Sequence, residues 1–295
     1  MATAFAPAKV NLYLHVGAPD ASGYHPICSL MAFADLGDRL SAQAADAMDL
    51  KVHGPFGAAL AGRDDNLVLR AVRALLAQAR APVEPVAISL EKRLPVASGL
   101  GGGSSDAGAA LRLLREHMAP HLDDAGLEAL AAGLGSDGAA CLWGRPVTAQ
   151  GRGERLSRAP GFPLLDAVLV NPGAPVATAE VYRRYDALGR FGDVAPPATP
   201  DAFESAAELA GWLGSLRNDL EAPAIAVAPQ VGAVLETLRD EPEALLARVS
   251  GSGGTCFALC ASDIEAESLA ERIEALAPAW WVRRCRLGGP WDEAT

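Results

Sequence analysis

From Ala8 to Val16 apolar and polar residues alternate: Val10, Leu12, Leu14 and Val16 fall on one face, Lys9, Asn11, Tyr13 and His15 on the other. A period of two predicts a half-buried strand. Val86-Ala87-Ile88-Ser89-Leu90 has the same β-branched, alternating character and reads as another strand. The period then lengthens. Ala107, Leu111, Leu114 and Met118 recur at helical spacing, with Ser104, Ser105 and Asp106 competing for the N-cap. Asp64-Asp65-Asn66 caps a helix whose apolar face is Leu67, Val68, Ala71, Val72, Leu75 and Leu76. Asp123-Asp124 opens the next helix, carried by Leu127, Leu130 and Leu134 and stopped by Gly133 and Gly135.

Short strands are expected within 38–56, a turn and strand over 144–153, and a strand over 166–171. Helices are expected over 201–216, 229–240 and 264–276, with the Pro-rich residues 192–200 forming a loop between helices. Residues 249–259 form a glycine turn running into an apolar strand, and 280–287 close the chain as a strand. Mixed strands and helices in this order predict an α/β (α+β) protein.

At 295 residues and 50% hydrophobic, the chain can bury a large core, and two domains are expected, 1–155 and 156–295. Asp and Glu total 36 against 25 Lys and Arg, a formal net charge of −11. That balance disfavours nucleic acid and anionic membranes as partners, so an anionic ligand has to be held by local groups. Cys28, Cys141, Cys256, Cys260 and Cys285 are scattered and odd in number, which suits ordinary thiols in a reducing cytosol. With no long uncharged apolar run and no basic, then apolar, N-terminus, the expectation is a soluble, unprocessed cytoplasmic protein.

Residues 92–106 carry the strongest chemical signal. Gly99, Gly101, Gly102 and Gly103 crowd the link between the strand at 86–90 and the helix through Ala107. Backbone N–H groups there are unshielded by any Cβ, and the helix aims its positive end at the same space. This is a site for an anion, most simply a polyphosphate. No Gly-Lys-Ser/Thr closes the loop as in a Walker A motif, and Ser104 stands where a Rossmann fingerprint needs glycine or alanine. Tyr24-His25, delivered by the turn at 18–24, pairs a flat ring with a donor–acceptor edge, a combination suited to a heterocyclic base. On local grounds alone Lys9 reads equally as a solvated strand residue, His25 as a surface histidine and Asp137 as part of an Asp-Gly turn.

Three ordered stretches together resemble the GHMP small-molecule kinase superfamily: Pro7-Ala8-Lys9-Val10-Asn11-Leu12, the Pro95 to Ser105 glycine loop, and Ser250-Gly251-Ser252-Gly253-Gly254. Gly23-Tyr24-His25, Asp65-Asn66-Leu67 and Asn218-Asp219-Leu220-Glu221 narrow the resemblance to members acting on a cytidine diphosphate-linked methylerythritol. The resemblance implies a two-domain GHMP kinase fold with its active site in the interdomain cleft. It implies ATP-dependent phosphorylation of the substrate's tertiary C2 hydroxyl, Mg2+ accompanying the nucleotide, in non-mevalonate isoprenoid precursor synthesis. By the same resemblance Asp137 is the catalytic aspartate and Lys9 its partner. Pro95, Gly99, Leu100, Gly101, Gly102, Gly103, Ser104 and Ser105 hold ATP, with Asn66, Leu67 and Lys92 near the adenine. Tyr24 and Tyr182 sandwich the cytosine, His25 hydrogen-bonds it, and Asn11 and Thr178 supply polar contacts. No protein metal ligand is assigned, and a monomer or weak homodimer is expected. One departure stands out: Gly138-Ala139 replaces the family's Val-Pro after the aspartate, which predicts a looser segment there.

Overall fold

The computed structural model describes residues 1–60, 66–159, 161–200 and 202–291. In chain order it contains β1 (Ala2–Val16), β2 (Ile27–Ala44), β3 (Asp49–His53), α1 (Leu67–Leu76), β4 (Val86–Glu91), α2 (Gly102–Met118), α3 (Asp124–Leu134), α4 (Gly138–Trp143), β5 (Val147–Gly151) and β6 (Arg155–Arg158). These are followed by β7 (Leu165–Asn171), α5 (Thr178–Leu188), α6 (Ala206–Gly214), α7 (Glu221–Val227), α8 (Pro229–Arg239), β8 (Leu246–Val249), β9 (Cys256–Cys260), α9 (Asp263–Leu276) and β10 (Trp281–Gly288). Among the described residues, no helix is long and apolar enough to cross a membrane.

A mixed sheet runs β3-β4-β2-β10-β7-β9-β8, with β1 and the β5–β6 hairpin pairing on β2. The last strand, β10, returns to pair with both β2 and β7, so the sheet is continuous between the two halves of the sequence. Strand pairs are antiparallel except β3–β4.

β1 is not half-buried as its alternation predicts: Ala4 through Val16 are buried on both faces. Along its length it passes through three cores. Ala4 and Ala6 pack with α1 and α2 residues such as Val72 and Leu111, Leu12 and Tyr13 with Leu209 and Leu213 of α6, and Leu14 and Val16 with Val181 and Leu235. The polar residues of its second face are therefore buried, and each needs a partner or a reason. Instead of short strands over 38–56, β2 is one strand of 18 residues followed by β3, because β1 offers it a pairing edge over nearly its whole length.

α1 starts where Asn66 caps it, the Oδ1 accepting from Val68 N at 2.8 Å; Asp64 and Asp65 lie outside the described residues. α3 keeps Gly133 inside and ends at Gly135. α6 begins at Ala206 rather than 201 because Ser205 caps it, accepting from Glu208 N. All five cysteines are buried and unpaired.

His15 is a buried polar residue of β1 with no hydrogen-bond partner for either ring nitrogen among the described residues. Burial, then the charge of Arg217, lowers its pKa below the ordinary histidine value. The folded chain thus carries a neutral imidazole that the unfolded chain protonates below about pH 6.5, so stability falls as pH drops through that window. A His15→Gln variant is expected to show a shallower loss of melting temperature between pH 7.5 and 5 than the parent; an identical slope would contradict the assignment.

Candidate active site

A cleft of about 800 Å³ is lined from both halves of the chain, by Lys9 and Asn11 of β1, the glycine loop, Asp137, and Thr178 and Tyr182 of α5. Two irregularities in the β1–β2 ladder, between Pro7 and Lys9 and between Asn11 and Tyr13, bracket the two β1 residues. Such irregularities re-aim side chains locally, which here brings Lys9 and Asn11 to one site.

The Lys9 ammonium stands 3.1 Å from Asp137 Oδ2 and donates to Asn11 Oδ1 at 2.6 Å. Asn11 Nδ2 in turn donates to Ser29 Oγ at 2.8 Å, and Ser29 Oγ to the Tyr13 carbonyl at 2.6 Å. This chain of bonds fixes the lysine in one place. The Lys9 side chain is 5% exposed and that of Asp137 27%, so the carboxylate is the more open partner. Asp137 occupies the N-cap of α4 but makes no side-chain cap bond, which leaves its carboxylate to Lys9 and the cleft.

The segment after Asp137 is not loose. Gly138 is buried, and a Cβ there would overlap the Ala131 carbonyl oxygen of α3. Gly138 N donates to Gly135 O and Cys141 N to Asp137 O, each at 2.9 Å. Close α3–α4 packing supplies the constraint that a proline would otherwise provide. Neighbouring Cys141 is no nucleophile: burial, then the Asp137 charge, pushes its thiol up to about 12.

Gly101 starts α2 in the left-handed region, at φ 64°, and provides no side-chain cap. The serines and Asp106 predicted to compete for the cap are inside the helix instead. First-turn amides therefore face the cleft without a side-chain acceptor, as an anion site requires. A second glycine turn braces the loop: a Cβ on Gly99 would overlap the Ser250 carbonyl and come within 2.7 Å of Gly253 O. Ser250 Oγ donates to Gly99 O at 3.1 Å and accepts from Asn11 N at 3.2 Å, and Thr255 N donates to Ser98 O at 2.9 Å. Ala97 is held at φ 53°, a strain of about 1–2 kcal/mol for a residue with a Cβ.

Of the predicted nucleotide residues, Pro95, Gly99, Gly101, Gly102, Gly103 and Ser104 line the cleft. Asn66 and Leu67 do so at its α1 end, where Leu67 packs 3.3 Å from a Cβ built on Gly103. Leu100 and Ser105 are fully buried beneath the loop, Leu100 contributing its carbonyl to Lys9 N at 2.8 Å. Lys92 borders the cleft with its ammonium buried against Asp38 and Asp106.

At the opposite end Tyr24 is 59% exposed, with the Arg152 guanidinium 4.4 Å over its ring. His25 is buried, 5.1 Å from Tyr182 between ring centroids. Its Nδ1 bonds the Gly17 carbonyl at 2.8 Å and its Nε2 stands 3.1 Å from Asp186 Oδ1. Both ring nitrogens of His25 are thus engaged within the protein. Burial, then the Asp137 charge, pushes the Tyr182 phenol up to about 12, so it stays protonated. Thr178 Oγ1 and Ser252 Oγ are 2.8 Å apart at the rim. Sequence reasoning missed Arg152 and Arg183 as lining residues, while Gly251 and Ser252 come from the second glycine turn that the resemblance singles out. Arg152 sits inside Gly151-Arg152-Gly153, a turn signal with nothing to mark it as functional.

The glycine loop, the lysine–aspartate pair and the aromatic residues share one cleft in a chain that is a small-molecule kinase. A family model of the GHMP kinases N terminal domain matches residues 66–145, and one of the GHMP kinases C terminal matches 199–279. A 4-diphosphocytidyl-2-C-methyl-D-erythritol kinase of Caulobacter sp. (strain K31) is 65% identical over 97% of this chain and 98% of its own. One from Hyphomonas neptunium (strain ATCC 15444) is 50% identical over 96% of each chain. A crystal structure of 4-(cytidine 5'-diphospho)-2C-methyl-D-erythritol kinase matches with a TM-score of 0.79 at 35% identity, covering 98% of this chain and 100% of that one. The chain belongs to the 4-diphosphocytidyl-2-C-methyl-D-erythritol kinase family of GHMP kinases.

Proposed function

We propose that this cleft transfers the γ-phosphoryl group of ATP to the tertiary C2 hydroxyl of 4-diphosphocytidyl-2-C-methyl-D-erythritol, a step in non-mevalonate isoprenoid precursor synthesis. The observation that carries the reading is the Lys9–Asp137 pair standing in one cleft with the glycine loop and the Tyr24, His25, Tyr182 pocket. The acceptor oxygen attacks phosphorus, the bond to the ADP oxygen breaks, and the hydroxyl proton passes to the Asp137 carboxylate late in the transfer. Lys9, held by Asn11, stabilises charge developing on the acceptor oxygen. First-turn amides of α2 face the transferring group's spreading negative charge, at no cost of reorganisation.

Among the described residues, no group of three or more His, Cys, Asp and Glu could hold a metal ion. A magnesium ion that arrives on the nucleotide phosphates fits this site, since such ions keep waters and need few protein ligands. The Ser104 hydroxyl, at the first turn of α2 in the cleft, is an oxygen donor that would be offered to it. When bound, it would neutralise phosphate charge. We also propose that 1–155 and 156–295 are two domains that share the substrate cleft at their junction. A monomer or weak homodimer working in the cytoplasm completes the reading.

Phosphorus NMR of the product tests the reaction: a new phosphomonoester resonance with the diphosphate signals retained supports it, and loss of the diphosphate signals sinks it. Tyr182→Ala tests the pocket. Base–aromatic stacking is worth about 1–3 kcal/mol, so the KM for the cytidylyl substrate should rise about 5- to 150-fold while that for ATP stays within about threefold. A rise confined to ATP would place the base elsewhere.

A further inference from the structure

Lys92 does not offer its charge to the cleft. Its side chain is 3% exposed and ion-paired with Asp38 and with Asp106 Oδ2, the latter at 2.7 Å. Asp38 belongs to β2, and its Oδ1 also accepts from Arg93 N at 2.6 Å and Leu94 N at 2.9 Å. The segment entering the glycine loop is thereby tied to the sheet. Asp106, opening the second turn of α2, ties the segment leaving the loop to the same ammonium. A Cβ built on Gly102 would stand 3.4 Å from Lys92 Nζ and 3.5 Å from Asp38 Oδ2, so the cluster lies against the first residue of the helix.

We propose that Lys92, Asp38 and Asp106 form a latch that positions the phosphate loop, and that its role is to set nucleotide affinity without touching the nucleotide. The proposal rests on the reading that the glycine loop holds the nucleotide phosphates. A glycine-rich segment loses more conformational freedom on ordering than any other, and an untethered loop would lose it at the moment of binding. Tying both ends to one buried ammonium makes that loss part of folding instead. Pulling the ammonium out to meet a phosphate would strip Asp38 and Asp106 of the buried cation they share, which argues against a direct contact. Asp38, with three donors, is the fully satisfied member of the cluster. Asp106 Oδ1 has no hydrogen-bond partner among the described residues, so Asp106 contributes to the latch through Oδ2 alone.

Asp106→Ala is the informative change, because it opens the latch at α2 while leaving Lys92 and Asp38 as a neutral pair. The KM for ATP should rise about tenfold or more, with the KM for the cytidylyl substrate within about twofold. Asp106→Asn keeps an oxygen for Lys92 and should restore the KM for ATP to within about threefold of the parent. Nucleotide affinity is read a second time, without turnover, from the rise in melting temperature that ADP produces, which should shrink in Asp106→Ala and return in Asp106→Asn. An unchanged KM for ATP in Asp106→Ala, or equal rises for both substrates, overturns the latch. Should the alanine variant not fold, Asp106→Asn decides by itself: a smaller than threefold change in KM for ATP supports a latch working through the acceptor oxygen, and a larger one contradicts it. Failure of the parent enzyme to release ADP would instead sink the reaction on which the latch rests, while leaving the ADP-melting comparison to judge the latch.

Discussion

An Asp137→Asn enzyme is expected to turn over about 10²–10⁴-fold more slowly than its parent, with both KM values within about threefold. The substitution keeps the shape of the side chain and its reach to Lys9, and removes only the capacity to accept the acceptor's proton. Carboxylate catalysis of this kind accounts for about 3–5 kcal/mol of the barrier by the same range. Binding should be spared because neither the glycine loop nor the aromatic pocket depends on the Asp137 side chain, whose one ion-pair partner among the described residues is Lys9. Lys9→Met should lose turnover on a similar scale. The double variant should lose little more than the worse single one, since residues acting as a unit are not additive. Initial rates at saturating ATP and acceptor measure this, and a loss under tenfold in Asp137→Asn would remove the carboxylate from proton transfer.

Gly138→Ala carries the second large effect. The added methyl has no room against the Ala131 carbonyl, so α4 has to move away from α3, and Asp137, the cap of α4, moves with it. A misplacement near 1 Å at a reacting group costs about 10²-fold in rate. Gly138→Ala should therefore lower kcat about 10²-fold with the KM for ATP unchanged within about threefold, because the glycine loop is braced from Ser250 rather than from α3. Circular dichroism at the assay temperature separates this loss from unfolding. A folded Gly138→Ala enzyme with parental kcat would show that the close packing does not place the aspartate.

This glycine shows where local reading of the sequence stops. Gly138-Ala139 reads as a released constraint because the residue that makes glycine obligatory, Ala131, lies on a different helix and shows no local signal. The alternation of β1 was legible, and so was the phosphate loop, since only glycines permit amides so bare at a helix start. Burial of the second face of β1 was not, because it depends on distant groups: Tyr13 packs in a core with Leu209 and Leu213 of α6, and Lys9 and Asn11 are held by Asp137 and Ser29. Lys92 fails for the same reason: Asp38 lies 54 residues away, and a lysine beside a phosphate loop otherwise suggests a phosphate contact. Lys9 and Asp137 became recognisable only through the resemblance. Their spacing in sequence says nothing, and a pair of ladder irregularities with a helix cap brings them to 3.1 Å.

The most direct test of the central claim is ADP release from Mg-ATP by the purified protein, comparing 4-diphosphocytidyl-2-C-methyl-D-erythritol with methylerythritol phosphate, mevalonate and homoserine. Release that depends on the cytidylyl compound, and that Asp137→Asn slows about 10²–10⁴-fold, is the expected result. Turnover of mevalonate or homoserine at a comparable rate would contradict the cytosine pocket, and no turnover with any acceptor would contradict the kinase reading itself.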